Sequence, residues 1–317
     1  MKTILLGNGL NRLTYRNSWE SLVHAIDEDS KMVEEEKVFI ESQIPNTLQF
    51  NSKVIKEWIA SSQFGQMLKN TESKLKEGIK KEMSGYKPCN LHDILIQFYP
   101  DHIITTNYDD VVDKAILKIG SFSYIKNTDP FQEQKFSIRR CRKYWNKNHK
   151  ITTWNIHGEL GYLNSIMLGY DHYCNSIELI DAYLKGKYRY NRRLLKEDSM
   201  KTKIINSDAN ILSWIDLFFF SDIHILGFGF GYEELDLWYV LMKRREMQIE
   251  IGPERINNKI FYYGNVRGRG KCELMELYGV NVIPSDVEPD GENFTPVYLN
   301  LVDKMSKNIN NYATPST

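Results

Sequence analysis

Hydrophobic positions along this chain fall into two patterns, short continuous runs and stripes with helical spacing. Lys2 to Leu6 is a short apolar run ending in Gly7-Asn8-Gly9-Leu10-Asn11, as a buried strand does when it feeds a glycine turn. From about Ser30 to Met83 charged residues dominate, and apolar ones recur at helical spacing. Val54, Ile55, Trp58 and Ile59 form one stripe, Phe64, Met67 and Leu68 continue it, and Leu75, Ile79 and Met83 form another. Asn90 then stands where a helix cap belongs, ahead of Leu91, Ile94, Leu95 and Phe98 at i, i+3, i+4 and i+7. Tyr99-Pro100-Asp101 stops that helix. A strand from His102 to Thr106 leads through Asn107-Tyr108-Asp109-Asp110 into a helix that buries Val111, Val112, Ala115 and Ile116.

After a loop-rich stretch, Ile151 to Ile156 reads as a strand ending in His157-Gly158. Residues 175–210 read as mostly helical and polar. A helix over 211–220, a strand over 223–228 and the turn Gly227-Phe228-Gly229-Phe230-Gly231 follow. A helix from about Glu233 buries Leu235, Trp238 and Met242. Ile260–Tyr263 and Val280–Ile283 are the last two strands, and Tyr298, Leu301, Val302, Met305 and Ile309 stripe a closing helix. Six strands alternating with helices predict an α/β fold: a Rossmann-like, mostly parallel six-stranded sheet covered by helices on both faces. Residues 1–317 are expected to form a single domain, with helical insertions at about 30–88 and 170–210.

The charge count narrows the function classes. Lys plus Arg is 41 and Asp plus Glu is 41, so the formal charge is zero and a polybasic, phosphate-neutralising chain is excluded. Aromatic residues are plentiful and the hydrophobic fraction is 42%, enough to fill a sizeable core and to argue against disorder. Cys89, Cys141, Cys174 and Cys272 lie far apart with no CxxC pair, so neither a zinc ribbon nor a disulfide framework is expected, and no metal. Ile4-Leu5-Leu6 is too short for a signal-peptide core, and the most apolar window, Ile211 to Phe230, is broken by Asp216, Asp222 and His224. The expectation is a cytoplasmic protein with no membrane partner.

Open parallel sheets bind ligands beyond the C-terminal strand ends, where the strand order reverses. The residues there are Gly7-Asn8-Gly9, Thr105-Thr106-Asn107-Tyr108-Asp109, His157-Gly158 and Gly227-Phe228-Gly229. Gly7 and Gly9 can bring backbone amides up to a phosphate that a Cβ would block, or simply make a tight turn. Arg12 stands where the dinucleotide fingerprint has its third glycine. Asn107 would project an amide into the crevice to hold a ribose hydroxyl or a water, unless it, Asp109 or Asp110 caps the next helix; Asp110 fits the cap best. His157 is placed to take a proton near neutral pH, or serves structure alone. Two basic runs, 135–150 and 185–203, interleave aromatics as nucleic-acid grooves do. In a neutral chain a solvated face is the favoured reading of both.

Taken in order, these loops resemble the sirtuin-like superfamily of NAD-consuming proteins, and most closely the sirtuin-like NAD hydrolases of bacterial antiphage defence. The carrying residues are Gly7 to Asn11 with Ser18-Trp19-Glu20-Ser21-Leu22, then Thr105-Thr106-Asn107-Tyr108-Asp109, then His157-Gly158, then Leu226-Gly227-Phe228-Gly229-Phe230 with Asp236. The Thr-Thr-Asn-Tyr-Asp string is the most specific. The resemblance implies a Rossmann-like sheet with a helical module and cleavage of NAD at the nicotinamide–ribose bond, depleting NAD in abortive infection. It makes Asn107 and His157 the catalytic residues. It assigns NAD contacts to Gly7, Asn8, Gly9, Asn11, Thr105, Thr106, Asp109, Gly227, Phe228, Gly229 and Asp236. A toxic hydrolase needs restraint, so a homo-oligomer or a partner defence protein, such as an ATPase or helicase, is expected. The alternatives are an NAD-dependent protein deacylase or ADP-ribosyl transferase, disfavoured by the missing CxxC pairs, and a non-catalytic subunit that binds NAD or ADP-ribose.

Overall fold

The computed structural model describes residues 1–15, 47–48, 51, 55, 67–119, 121–125, 135–190, 193–194, 198–266 and 268–311. Ser18–Leu22 and most of the 30–66 stripes lie outside the described residues. Strand β1 (Lys2–Leu6) is followed by a single 3-10 turn, Asn11–Leu13. Helices α1 (Met67–Met83) and α2 (Asn90–Gln97) lead to β2 (His102–Thr105), α3 (Val111–Lys118) and β3 (Ser123–Ile125). Then come β4 (Arg142–Trp145), β5 (Lys150–Asn155), α4 (Tyr170–Leu184), a small hairpin of β6 (Arg189–Tyr190) and β7 (Arg193–Leu194), α5 (Met200–Ile205) and α6 (Trp214–Phe220). The chain closes with β8 (Asp222–Leu226), α7 (Leu235–Ile251), β9 (Ile260–Tyr263), α8 (Arg269–Leu277), β10 (Val280–Ile283) and α9 (Thr295–Asn311).

The main sheet has eight strands in the order β10-β9-β8-β1-β2-β5-β4-β3. The six expected strands are all present and all parallel, with Leu5 of β1 level with Ile104 of β2 on one side and with Ile225 of β8 on the other. The expected count of six is corrected to eight: β3 and β4 extend the sheet antiparallel from β5, inside the stretch read as loop. Strand β4 (Arg-Lys-Tyr-Trp) and the fully exposed β3 carry the polar, charged texture of edge strands, which hides their periodicity. Similarly, the stretch read as mostly helical between 175 and 210 contains the β6–β7 hairpin. Asn90 is the first residue of α2 rather than its cap, which is Cys89.

Successive residues of the inner strands point to opposite faces, and both faces are apolar because helices cover both. Leu5, Ile104, Ile223 and Ile225 pack under α4, α6 and α7, while Ile4, Leu6 and Ile103 pack under α2, α3 and α9. A smaller cluster joins Leu75, Ile79 and Met83 of α1 to Tyr108, Val111 and Ile166. His224 of β8 stacks on Phe261 and Tyr263, with burial lowering its pKa to about 4, so it is a neutral core residue. The four cysteines are free thiols. Among the described residues no helix is long and apolar enough to cross a membrane.

Some cations of the two basic runs are paired with carboxylates inside the fold. Arg142 pairs with Asp113 and Glu159, and Arg140 lies 3.7 Å from Glu159. In the second run Lys203 is buried against Asp216 at 2.7 Å. Asp216 also accepts from the Tyr183 hydroxyl and from the backbone amides of Leu212 and Ser213. Other cations of the two runs, among them Lys147, Lys150, Lys185 and Lys201, stay exposed as a solvated face requires. Removing one partner of a buried pair leaves a buried charge uncompensated, at a typical cost of about 3–5 kcal/mol. Asp216→Ala is expected to destabilise the protein by that amount, and Asp216→Leu with Lys203→Met to recover much of it. Chemical denaturation measures both; an Asp216→Ala protein as stable as the parent would refute the account.

Candidate active site

All six parallel strands deliver their carboxyl ends to one side of the sheet. From β1 the chain pairs with β2 on one flank and β8 on the other, so the order reverses at β1 and opens a crevice there. A cleft of about 580 Å³ occupies this place, within the usual size of small-molecule sites. Asn8, Gly9 and Arg12 line it from the β1 loop, Thr106 and Asn107 from the β2 loop, and Gly227 to Gly231 with Glu233 and Glu234 from the β8 loop. Tyr262 to Asn265 close one wall, and Val297, Tyr298 and Leu301 of α9 roof it.

The glycines owe their identity first to packing. A Cβ on Gly7 would lie 2.6 Å from both the Gly227 oxygen and the Phe228 Cα. A Cβ on Gly9 would meet Gly227 and collide with the Tyr298 hydroxyl. The Gly7 amide donates to the Leu226 oxygen at 3.2 Å and the Gly9 amide to the Gly227 oxygen at 2.7 Å. Both amides are spent holding β1 to β8, so the tight-turn reading accounts for them. Gly227 sits at φ +65°, a conformation that glycine adopts freely. Gly229 is exposed with open space where its Cβ would be. Phe230, at φ +50°, is held in that strained state by edge-on packing with Phe228 and Trp238.

Asn107 lines the cleft. Its Nδ2 donates to the Gly7 oxygen at 3.3 Å, and its Oδ1 has no hydrogen-bond partner among the described residues. It caps no helix: the Val111 amide donates to Asp109 Oδ1 at 2.9 Å, while Asp110 instead pairs with Lys114. Asp110 holds the N-cap position, as expected, but its side chain makes no capping bond; Asp109 supplies that hydrogen bond from one residue earlier. Asp109 Oδ2 also accepts from Asn11 Nδ2 at 2.7 Å, which ties the β1 loop to the β2 loop. Burial, against those hydrogen bonds, raises its pKa to about 6. Asn11, Thr105 and Asp109 are buried and support the floor of the cleft without lining it. Asn8, Gly9, Thr106, Gly227, Phe228 and Gly229 do line it.

His157 and Asp236 form a buried pair behind this wall. Nε2 of His157 meets Asp236 Oδ2 at 3.0 Å, and Nδ1 faces Glu234 Oε2 at 3.7 Å. Burial alone would lower the His157 pKa; the carboxylates of Asp236 and Glu234 outweigh it and raise it to about 8. Burial raises Glu234 to about 7, helped by the charges of Asp236 and Glu233 and opposed by His157. These three side chains bring donor atoms within 4.8 Å of one another. The ring turns one nitrogen to each carboxylate, an arrangement in which a proton can be shared. Asp236, placed by sequence among ligand contacts, is fully buried and serves His157 instead. Glu234 escaped the sequence reading, although a carboxylate two residues before Asp236 in the glycine-rich β8 loop was its available signal. Tyr298 and Tyr262 gave no local signal; only the packing of α9 and β9 over the cleft brings them in.

Neither a protein-family model nor a curated protein matches this chain. The site therefore speaks through its geometry.

Two measurements test this construction. Gly7→Ala is expected to cost ~1–3 kcal/mol in the ligand-free protein by overpacking the β1–β8 contact, whereas Gly229→Ala should stay within about 0.5 kcal/mol. Equal melting temperatures for the two variants would contradict the packing argument. The second follows His157. Its raised pKa means stability fully present below pH ~6.5 and lost as pH rises through about 8. Asp236→Asn removes the closest carboxylate and should lower that pKa, visible in an NMR titration of the imidazole; an unmoved titration would place the charge elsewhere.

Proposed function

We propose that this chain is an NAD hydrolase that cleaves the nicotinamide–ribose bond to give nicotinamide and ADP-ribose. The observation that carries the reading is Asn107, a strand-end amide anchored by the Gly7 carbonyl with its Oδ1 unpartnered among the described residues, sharing one cleft with an acidic group backed by a histidine. Nicotinamide leaves as a neutral base from a cationic sugar linkage, so departure needs little acid help. The protein has to place the ribose, exclude bulk water and stabilise an oxocarbenium-like centre. An amide oxygen suits the first task, since it accepts from a ribose hydroxyl or from a water. The carboxylate side of the cleft suits the last.

The remaining lining fits the rest of a dinucleotide. Arg12 is exposed in the cleft and can meet a pyrophosphate, and Tyr262, Tyr298 and Phe294 offer aromatic surface. Because the Gly7 and Gly9 amides are engaged, we assign the phosphate to Arg12 and the exposed Gly229 turn rather than to the first glycine loop. A role in antiphage NAD depletion, with restraint by self-assembly or by a partner such as an ATPase or helicase, extends this reading on the family resemblance alone. A nucleic-acid partner is not favoured, since the chain is neutral overall and Arg142 and Lys203 of the basic runs pair internally.

Purified protein incubated with NAD is expected to release nicotinamide and ADP-ribose in equal amounts. Asn107→Ala should reduce that release at least 100-fold, with an unchanged melting temperature, because the Asn107 side chain makes a single 3.3 Å hydrogen bond. A folded Asn107→Ala protein that cleaves NAD at the parent rate would remove Asn107 from the mechanism. Binding of NAD without release of nicotinamide would favour the non-catalytic reading.

A further inference from the structure

We infer that Glu234, rather than His157, is the group that meets the reacting water, and that His157 and Asp236 act behind it as positioning residues. This rests on the NAD-hydrolase reading and concerns which side chain at that site takes the proton.

The geometry separates the three groups by access. The Glu234 side chain keeps 15% of its surface exposed and lines the cleft, whereas His157 keeps 3% and Asp236 none. The imidazole is closed on both sides, with Nε2 on Asp236 at 3.0 Å and Nδ1 turned to Glu234 at 3.7 Å. The edge-on ring of Tyr173, 5.3 Å away, packs against it. Glu234 turns Oε2 toward the histidine and the Tyr173 hydroxyl, 3.5 Å away, while Oε1 has no hydrogen-bond partner among the described residues. A water entering the cleft therefore meets Glu234 before either nitrogen of His157.

Charge supports the same order. The groups facing Glu234 are His157 after β5, Tyr173 of α4, Tyr108 of the β2 loop, and Asp236 and Glu233 on its own segment. Burial and the neighbouring carboxylates make Glu234 titrate at about 7, and His157, at about 8, holds its proton near neutrality. A protonated ring has no lone pair to offer. It can supply a fixed positive charge that keeps Glu234 ionised enough to act as a base. In the step, the water oxygen bonds to the anomeric carbon as the carbon–nitrogen bond breaks. Its electron pair goes to the nicotinamide nitrogen, which leaves neutral. One water proton passes to Glu234 Oε1, and the carboxyl later returns it to solvent.

The test is the pH dependence of single-turnover nicotinamide release for the parent, Glu234→Gln, Glu234→Asp and His157→Gln, with NAD affinity and melting temperature on each preparation. The parent rate should rise with pH through an ionisation near that of Glu234. Glu234→Gln should lose ~10²–10⁴-fold in rate and the pH dependence with it, while binding NAD within a few-fold of the parent. Glu234→Asp should retain a pH-dependent residual rate. His157→Gln should keep the rising limb but move it to higher pH, because the cation beside Glu234 is gone. A folded Glu234→Gln protein with the parent's rate and profile, or a His157→Gln protein whose limb vanishes, would overturn the inference while leaving the hydrolase reading intact. A parent protein that releases no nicotinamide would overturn both.

Discussion

The close approach of two strand ends, β1 at Gly7 and β8 at Gly227, is the constraint on which the cleft depends. With a Cβ only 2.6 Å from backbone atoms, no other residue fits at Gly7 without moving the loops apart. That approach lets the Gly9 amide reach the Gly227 oxygen, and it leaves the Gly7 oxygen to hold Asn107. Separate the two loops and the amide of Asn107 loses its anchor. The glycine pattern thus shapes the cleft through close contact between protein segments.

Beneath that floor, polar residues are stitched together across long sequence distances. Asn11 holds Asp109, whose other oxygen accepts the Val111 amide at the start of α3, so the loops after β1 and β2 are tied together. Asp236 holds His157, which reaches the loop after β8 from β5. Each bond is short-ranged and buried, where hydrogen bonds to charged groups are strong and a missing partner is costly. A chain of this kind keeps a proton and a positive charge at a chosen depth behind the cleft wall. The titration of the pair belongs to the whole chain of groups, and a change at Asp236 reaches Glu234 through the ring between them.

Charge balance on the surface and in the interior are two different matters here. The chain is neutral overall, yet Arg140 and Lys203 lie inside and Arg142 is half-buried, each facing a carboxylate. A few cations of the two basic runs are drawn into the fold, with Glu159 serving Arg140 and Arg142 immediately after the His157-Gly158 turn. The ion pairs under β4 and β5 therefore brace the loop that carries His157.

By itself the sequence determined the fold class, the six parallel strands and the strand ends that face the site, because continuous apolar runs, helical stripes and glycine turns are local signals. Asn107 and His157 stood out for the same reason, each lying two residues past a strand, though only Asn107 lines the cleft. The edge strands β3 and β4 stayed hidden because an exposed edge needs no apolar alternation and reads as a basic loop. Only the tertiary structure decided what each polar residue faces. Asp110 sits at the N-cap of α3 while Asp109 makes the capping bond, Asp236 turns inward to His157, and Glu234 turns to the cleft. A side chain's charge and reach are written in its residue type. Its burial and its partner depend on segments far along the chain, and burial and partner are what move a pKa or leave an amide oxygen unpaired at a cleft.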